Sequence, residues 1–184
     1  KGCGTICDQR NDVRLLPAAG EEEAALRALY ERAVPDNERR PLGPLLNDRT
    51  GHAKVLSAWE GEQFCGLVCT LEWSDMVHII YFAVEEALRG RGLGSRILEE
   101  MRRANPGKRL LVDIEEPFGA APNNAQRLRR RDFYLRCGYR ETAVRYPWRG
   151  VDYVILSLGG TVTDEEFGRF WEALEAEMPV FGTY

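Results

Sequence analysis

The feature that most constrains this 184-residue chain is a continuously apolar stretch followed by three glycines at alternate positions. The stretch MVHIIYFAV, Met76 to Val84, carries one polar side chain, His78, and such a run is typical of a strand buried on both faces. The next segment, LRGRGLGSRIL, opens a helix. A strand, a glycine loop and a helix in this order present free backbone N–H groups at a helix N-terminus. The sequence therefore predicts a phosphate or pyrophosphate site at this loop.

The glycine loop offers both room and charge to such an anion. Gly90, Gly92 and Gly94 carry no Cβ, so a ligand can approach the backbone closely. Arg89 and Arg91 can donate to the same oxygens. Only three of the 25 basic residues are lysines, and arginine is the cation best suited to phosphates and carboxylates. A glycine-rich turn with two solvated arginines is the plainer interpretation, and the alternating glycines make it the weaker one.

Two other phosphate-binding motifs fit the loop poorly. A P-loop is excluded because no Gly-Lys-Ser/Thr follows. The dinucleotide fingerprint needs G-x-G-x-x-G in a tight turn, whereas here the spacing is G-x-G-x-G and residues 85–89 precede the first glycine. Asp113 does lie about 20 residues further on, as a ribose-binding acid would. A nicotinamide-dependent oxidoreductase therefore stays as an alternative.

Composition excludes several function classes. No apolar run approaches the length of a membrane span, no secretory signal opens the sequence, and a net charge of −4 argues against bulk nucleic-acid binding, so we expect neither membrane nor nucleic-acid partners. The five cysteines form no CxxC pair, and the sequence has only two histidines. They predict reduced thiols in a cytoplasmic protein and no metal site.

The pattern along the chain predicts a mixed α/β fold (α+β). It reads as a strand, a helix, a proline-broken loop, three strands, the glycine loop with its helix, a strand, an arginine-rich helix and a hairpin. Thr163 and Glu166 form a capping box for a last helix. We therefore expect a single domain over residues 1–184, with a core at about 13–158 and a C-terminal helical extension at about 161–178.

Two motifs carry a family resemblance. Arg89-x-x-Gly92-x-Gly94, placed after a strand ending at Val84, closely resembles the acyl-CoA pyrophosphate loop of the GNAT N-acetyltransferase superfamily. DFYLRCGY, Asp132 to Tyr139, is similar to the family's Phe-Tyr-x-x-x-Gly-Phe segment. The resemblance covers roughly residues 13–158. It implies a mostly antiparallel central sheet, splayed at its middle strands and flanked by helices, and transfer of an acetyl group from acetyl-CoA to a primary amine of a small molecule or peptide by direct attack.

The resemblance also implies a set of acetyl-CoA-binding residues. In the family, the backbone of the strand before the loop pairs with the pantetheine arm, and the loop holds the pyrophosphate. Carried onto this sequence, the set is Phe82, Ala83, Val84, Arg89, Gly90, Arg91, Gly92, Leu93, Gly94 and Ser95.

Catalytic roles follow from the same resemblance. Tyr134 matches the family's tyrosine acid, whose hydroxyl lies near the CoA sulfur; the alternative is a ring that packs the core. His78 falls six residues before Val84, where some family members carry a base, and its alternative is a histidine satisfied by a neighbouring carbonyl. Glu115 and Glu116 are further candidates, either as the base or as the residues that bind a cationic substrate. The alternative is that both carboxylates are solvated.

The sequence departs from the family in the arginine-rich helix. Arg127 and Arg130 occupy the places of the family's asparagine and alanine, and Asn123 and Asn124 lie too far upstream unless the loop bulges. These arginines and Arg131 are candidates for the 3′-phosphate of CoA or for an acidic substrate, although a solvated helix face is the plainer interpretation.

The acceptor side is the least determined by the sequence. Its candidate lining residues are Glu38, Arg39, Arg40, Tyr146 and Trp148. The C-terminal helix has three open roles: covering the cleft, completing a homodimer or capping the core. A non-catalytic acyl-CoA-binding sensor on the same fold remains the alternative to an enzyme.

Overall fold

The computed structural model describes residues 12–20, 22–36 and 38–178, so the predictions for Cys3 and Cys7 lie outside the described residues. The strands within these ranges are β1 (Val13–Pro17), β2 (Ala53–Glu60), β3 (Gln63–Trp73), β4 (Met76–Val84), β5 (Arg109–Glu115), β6 (Arg140–Trp148) and β7 (Val151–Leu158). The helices are α1 (Glu22–Ala33), α2 (Leu42–Leu46), α3 (Leu93–Ala104), α4 (Asn124–Arg136) and α5 (Asp164–Glu177), with a 3₁₀ turn at Glu86–Leu88.

The strands form one sheet in the order β1-β2-β3-β4-β5-β7-β6. Every neighbouring pair is antiparallel except β4 and β5. The predicted mixed, mostly antiparallel sheet is therefore confirmed. The nicotinamide-dependent alternative is wrong, because dinucleotide-binding folds of that class are built on a mostly parallel, doubly wound sheet.

The sheet is splayed between β4 and β5. These strands pair only where Met76–Ile79 faces Arg109–Val112. Beyond Ile79, β4 continues to Val84 beside β3, and β5 continues to Glu115 beside β7. The register between β3 and β4 also shifts at Ile80, and such a bulge increases the local twist. The far half of β4 consequently has no strand partner on its β5 side.

Two cores pack on the two faces of the sheet. The face covered by α1, α2 and α5 buries a cluster that includes Leu26, Leu45 and Phe170. The face covered by α3 and α4 buries a second cluster, in which Ile97 and Met101 of α3 pack with Tyr134 of α4. Three helices therefore pack on one face of the sheet and two on the other.

The last helix closes the first face. The predicted capping box is present, since Thr163 accepts from the Glu166 N–H and Glu166 accepts from the Thr163 N–H. Phe167, Phe170 and Leu174 of α5 are buried against the sheet. Capping the core is thus one role that the helix fills. At 14 residues α5 is far shorter than a bilayer is thick, and no described helix is long and apolar enough to cross one.

Gly66 sets how closely β3 and β4 approach. A Cβ at this position would lie 2.5 Å from the carbonyl oxygen of Ala83, a backbone atom that cannot turn aside. We expect Gly66→Ala to lower the free energy of unfolding by about 2–3 kcal/mol, because overpacking forces the backbone to shift. Urea denaturation of both proteins measures this change in the free energy of unfolding. Gly43→Ala in α2 is the control: a Cβ there meets nothing within 4 Å, so an equal loss of stability would contradict the steric explanation.

Candidate active site

The glycine loop presents open backbone at the start of α3. Gly90 and Gly92 have φ angles of 78° and 75°, in the left-handed region that favours glycine. Gly92 is the N-cap residue, and no side chain caps the helix. The N–H groups of Leu93, Gly94 and Ser95 therefore have no intrahelical acceptor and point out of the helix end, where the helix dipole is positive.

Gly94 is a glycine for a different reason from its two neighbours. A Cβ at Gly94 would lie 3.2 Å from Cζ of Phe133 on α4 and 3.6 Å from Cζ of Phe82 on β4. Close packing of α3 against these two rings is thus a sufficient reason for a glycine here, whereas the sequence suggested room for an anion at all three positions.

The arginines around the loop are exposed and only loosely engaged. Arg89 donates to the Val84 carbonyl at 3.2 Å, and Arg91 lies 3.6 Å from the Glu60 carboxylate. Arg96, one turn into α3, donates to Glu60 more directly. The charges of Arg89 and Arg91 consequently remain near the helix N-terminus, where an anion would bind.

A cavity of about 450 Å³ lies at the splay and reaches both faces of the sheet. Tyr134 and Phe82 line it and pack with the α3–α4 cluster, whereas Tyr81, Phe167 and Trp171 line it and pack with the α1–α2–α5 cluster. Its other lining residues are Ala33, Val34, Pro35, Glu38, Arg40, His78, Ile79, Ile80, Asp113, Arg130, Tyr146, Pro147, Trp148, Tyr153 and Glu175. The cavity is therefore lined by residues that pack with the clusters on both faces of the sheet.

His78 is held by a carboxylate. Its Nε2 atom lies 2.9 Å from Oδ1 of Asp113, and the other carboxylate oxygen accepts from the hydroxyl of Tyr146 at 2.9 Å. Burial by itself raises the pKa of Asp113, but the hydrogen bonds from His78 and Tyr146 outweigh it, and the net pKa is lowered. An ionised Asp113 accepts a hydrogen bond from Nε2–H, so in the neutral form of the ring the lone pair lies on Nδ1, which is buried with no hydrogen-bond partner among the described residues.

Tyr134 is buried with its side chain in the cavity wall. Its ring makes edge contacts with Phe133 and Tyr139, at centroid distances of 5.2 and 5.5 Å. Burial raises the pKa of the Tyr134 hydroxyl well above its ordinary value. The hydroxyl is therefore protonated throughout the physiological pH range and can act as a donor.

Glu115 and Glu116 do not line the cavity. Arg127 reaches Glu115 at 3.3 Å and donates to Oδ1 of Asn123 at 2.8 Å, and Asn123 in turn donates to Glu115 at 3.0 Å. Glu116 pairs with Arg145 at 2.8 Å. The structure thus uses Arg127 to join the start of α4 to the end of β5. Arg131 is likewise paired, with Glu141. Of the three candidate arginines of α4, Arg127, Arg130 and Arg131, only Arg130 lines the cavity.

The loop between α1 and α2 is anchored over the cavity by two tyrosines. The hydroxyl of Tyr30 donates to the carbonyl of Arg40 at 2.9 Å, and the hydroxyl of Tyr81 donates to the carbonyl of Glu38 at 3.0 Å. The two rings meet edge to face at 5.0 Å. Glu38 and Arg40 are therefore held in the cavity wall by backbone contacts, and both residues line the cavity. Arg39, by contrast, donates to Val34 and pairs with Asp36 outside the cavity.

The end of α5 is attached to the sheet by a histidine. Nδ1 of His52 lies 2.9 Å from the carbonyl of Glu72, and Nε2 lies 2.7 Å from the Glu177 carboxylate. Both partners are acceptors, so both ring nitrogens donate only in the charged form. The hydrogen bond to Glu177 accordingly raises the pKa of His52.

This contact makes a pH-dependent contribution to stability. A raised folded-state pKa gives stability that is fully present below the unfolded value of about 6.5 and is lost as the pH rises through the folded value. We expect Glu177→Gln to lower the free energy of unfolding by about 0.5–1 kcal/mol at pH 5.5 and by less at pH 8.5, Glu177 being exposed. Denaturant titrations of both proteins at the two pH values test this. A difference that grows with pH would contradict it.

Comparison with known proteins identifies the family. The model of the acetyltransferase (GNAT) domain matches residues 51–141, which include the splayed strand, the glycine loop and Tyr134. Residues 51–141 belong to the GNAT superfamily. A search of curated protein sequences returned no significant match.

Solved GNAT structures share the fold. A GNAT-family protein from Bacteroides thetaiotaomicron superimposes with a TM-score of 0.76 at 20% identity, covering 93% of this chain and 99% of that one. The ribosomal-protein-S18-alanine N-acetyltransferase of Escherichia coli gives 0.57 at 17%, over 83% and 97%. An acetyltransferase from Bacillus subtilis, solved in complex with CoA, gives 0.53 at 17%, over 80% and 97%.

The GNAT fold thus brings together some of the residues named from sequence and leaves others apart. Tyr134, His78, Phe82 and Trp148 share the cavity. Sequence reasoning treated Asp113 only as a ribose-binding acid and left the role of the C-terminal helix open. An aspartate inside the otherwise apolar RLLVDIEE was the available signal, because a buried carboxylate requires partners.

Proposed function

We propose that this GNAT protein is an N-acetyltransferase that transfers an acetyl group from acetyl-CoA to a primary amine of a small molecule or peptide by direct attack. The observation that carries the proposal is the cavity at the splay between β4 and β5, whose lining residues pack with the clusters on both faces of the sheet. Two substrates that approach from opposite faces could meet at such a cavity. The residues at that point include a protonated tyrosine and a histidine held by a carboxylate.

The loop and the splayed strand fit acetyl-CoA as a co-substrate. The first N–H groups of α3, with Arg89 and Arg91 beside them, suit a pyrophosphate. A side chain at Gly90 or Gly92 would be strained by the positive φ and would cover this backbone. The edge of β4 at Phe82, Ala83 and Val84 lacks a strand on its β5 side, so its backbone can pair with an extended amide-bearing arm.

The reaction asks the protein for proton handling and positioning. The amine nitrogen forms a bond to the acetyl carbonyl carbon, the carbon–sulfur bond breaks, the amine loses a proton and the departing sulfur gains one. The thioester supplies the activated acyl group. We assign the donated proton to the hydroxyl of Tyr134 and the accepted proton to Nδ1 of His78, directly or through one water molecule.

Asp113 completes this assignment as a positioning residue. Its ionised carboxylate fixes the His78 ring through Nε2 and stabilises the ring once it is charged. Tyr146 in turn fixes the carboxylate. The other predicted bases, Glu115 and Glu116, lie outside the cavity wall and are paired with arginines, which favours His78 among the candidates.

The proposal is tested by measuring binding and turnover separately. A thermal-shift titration with acetyl-CoA, CoA and NADH should show stabilisation by the two CoA species alone, and about 2.7 kcal/mol is expected at a ligand concentration 100 times its dissociation constant. Thiol release from acetyl-CoA is then followed with a panel of primary amines. CoA binding without turnover on any amine would favour the non-catalytic sensor. No shift with either CoA species would overturn both.

The proposed setting is the cytoplasm. Cys65, Cys69 and Cys137 are free thiols, and a reducing compartment keeps them so. The chemistry needs no metal, and no group of His, Cys, Asp and Glu side chains suited to a metal ion occurs among the described residues. A homodimer stays a prediction.

A further inference from the structure

The acceptor side of the cavity is walled by aromatic rings in continuous contact. From the β6–β7 hairpin to α5, Trp148 meets Tyr153 at 6.0 Å, Tyr153 stacks on Tyr146 at 5.6 Å, and Tyr146 meets Phe167 at 5.6 Å. Phe167 then meets Trp171 at 6.2 Å. All five rings line the cavity. Ring packing alone would bury their faces in a core, but this row borders an open volume.

A guanidinium contacts the tryptophans at both ends of this row. The Cζ atom of Arg40 lies 5.7 Å from the Trp148 ring centroid and 5.4 Å from that of Trp171. Both indoles therefore already contact a planar, charged group, a contact that their ring faces favour. Since Arg40 brings a positive charge here, a second cation close to it would be repelled.

Three carboxylates line the cavity, those of Glu38, Asp113 and Glu175. Burial, followed by the nearby charge of Glu115, raises the pKa of the Glu38 carboxyl, although the charge of Arg130 and a hydrogen bond from Tyr153 oppose the rise. No ion pair joins Glu38 to a cation within the described ranges, whereas Asp113 is already engaged by His78 and Tyr146. A cation arriving beside Glu38 would stabilise its ionised carboxylate and offset the repulsion from Glu115.

We propose that the acceptor is an arylalkylamine: a single primary ammonium on a short arm that ends in an aromatic ring. The ring packs against Tyr146, Tyr153 and the two tryptophans, and the nitrogen is directed to Glu38 until it loses its proton to solvent. A polyamine fits poorly, because its second charge would meet Arg40 or Arg130. This inference rests on the proposed function and names the substrate class of the same site.

The test compares amines that differ in one property at a time. Thiol release is measured with 2-phenylethylamine, hexylamine, spermidine and phenylalanine under one acetyl-CoA concentration. We expect kcat/KM for 2-phenylethylamine to exceed that for hexylamine by about tenfold, in line with aromatic pair contacts. Equal or better turnover of hexylamine or spermidine would overturn the proposal. So would a preference for phenylalanine, which would give Arg40 a carboxylate to bind.

A binding measurement separates this inference from the proposed function. If no amine is turned over, acetyl transfer is wrong, but quenching of tryptophan fluorescence by 2-phenylethylamine and not by hexylamine would still support an aromatic-amine site. Quenching by neither amine would overturn the site as well.

Paired variants locate the effect. Trp171→Leu should raise KM for 2-phenylethylamine about five- to tenfold and by more than it raises KM for hexylamine, whereas Trp59→Leu, whose ring packs on Phe64 away from the cavity, should change neither. Glu38→Gln should raise KM for both amines, and Glu31→Gln, on the exposed side of α1, should not. Melting temperatures of all four variants exclude unfolding as the cause. Equal effects of the two tryptophan variants would contradict the placement.

Discussion

Replacing Tyr134 by phenylalanine is expected to lower kcat about 100-fold or more, because the reaction then lacks its proton donor. The affinity for acetyl-CoA should stay unchanged, since the ring keeps its contacts with Phe133 and Tyr139. Burial holds the pKa of this hydroxyl high, so the proton donor is present throughout the pH range around neutrality. Single-turnover kinetics measure the rate of transfer, and a separate equilibrium titration with acetyl-CoA measures the affinity.

Tyr139→Phe is the matched control for this experiment. The Tyr139 ring lies 5.5 Å from that of Tyr134, and its hydroxyl is buried with no hydrogen-bond partner. Removing an unsatisfied buried hydroxyl is expected to leave stability unchanged or to raise it by about 1 kcal/mol. Turnover should equal that of the wild type. If Tyr134→Phe also keeps full activity with a good acceptor, Tyr134 is a packing residue and another group protonates the sulfur.

Replacing Gly92 by glutamate is expected to weaken acetyl-CoA binding about 100-fold, or roughly 2.8 kcal/mol. Gly92 has a φ of 75° at the N-cap of α3, so a side chain there is strained and stands at the end of the helix where the pyrophosphate would bind. The added carboxylate would also compete with phosphate oxygens for Arg89 and Arg91. Calorimetric titration with acetyl-CoA gives the affinity directly.

Gly107→Glu separates lost binding from backbone strain. Gly107 also has a φ of 75°, meets nothing within 4 Å at its Cβ position, and lies just beyond the opposite end of α3. Both variants should lose about 1–2 kcal/mol of unfolding free energy through the left-handed backbone. Only Gly92→Glu should lose affinity. A similar loss in both would mean that general destabilisation, rather than the loop, weakens binding.

The order of elements could be predicted from the sequence because the signals are local. Apolar runs, the Glu60-Gly61-Glu62 turn and the capping box of Thr163 each act within a few residues, and all reappear in the structure. The splay needed the family resemblance. Nothing within MVHIIYFAV shows that β5 leaves β4 after Ile79, because that depends on β7 competing for the other side of β5.

The candidate site was predicted only in part. Tyr134 and the loop follow from short motifs with a fixed spacing, so sequence positions sufficed. The sequence alone could not show that Glu115 and Glu116 are paired, because their arginine partners are up to 29 residues away along the chain. The capping box predicts the last helix, yet which surface its Phe167 and Trp171 rings cover cannot be read from helical periodicity.

The sequence by itself determined the shape of the glycine loop, the proposed anion site. The left-handed φ angles of Gly90 and Gly92 and the start of α3 without a side-chain cap are properties of consecutive residues. Only the tertiary structure decided the lining of the cavity, the proposed acceptor side. The hydrogen bonds of Asp113 reach His78 and Tyr146, 35 and 33 residues away, and the aromatic wall joins β6, β7 and α5. Such contacts depend on which strands become neighbours, and that is set by burial over the whole chain.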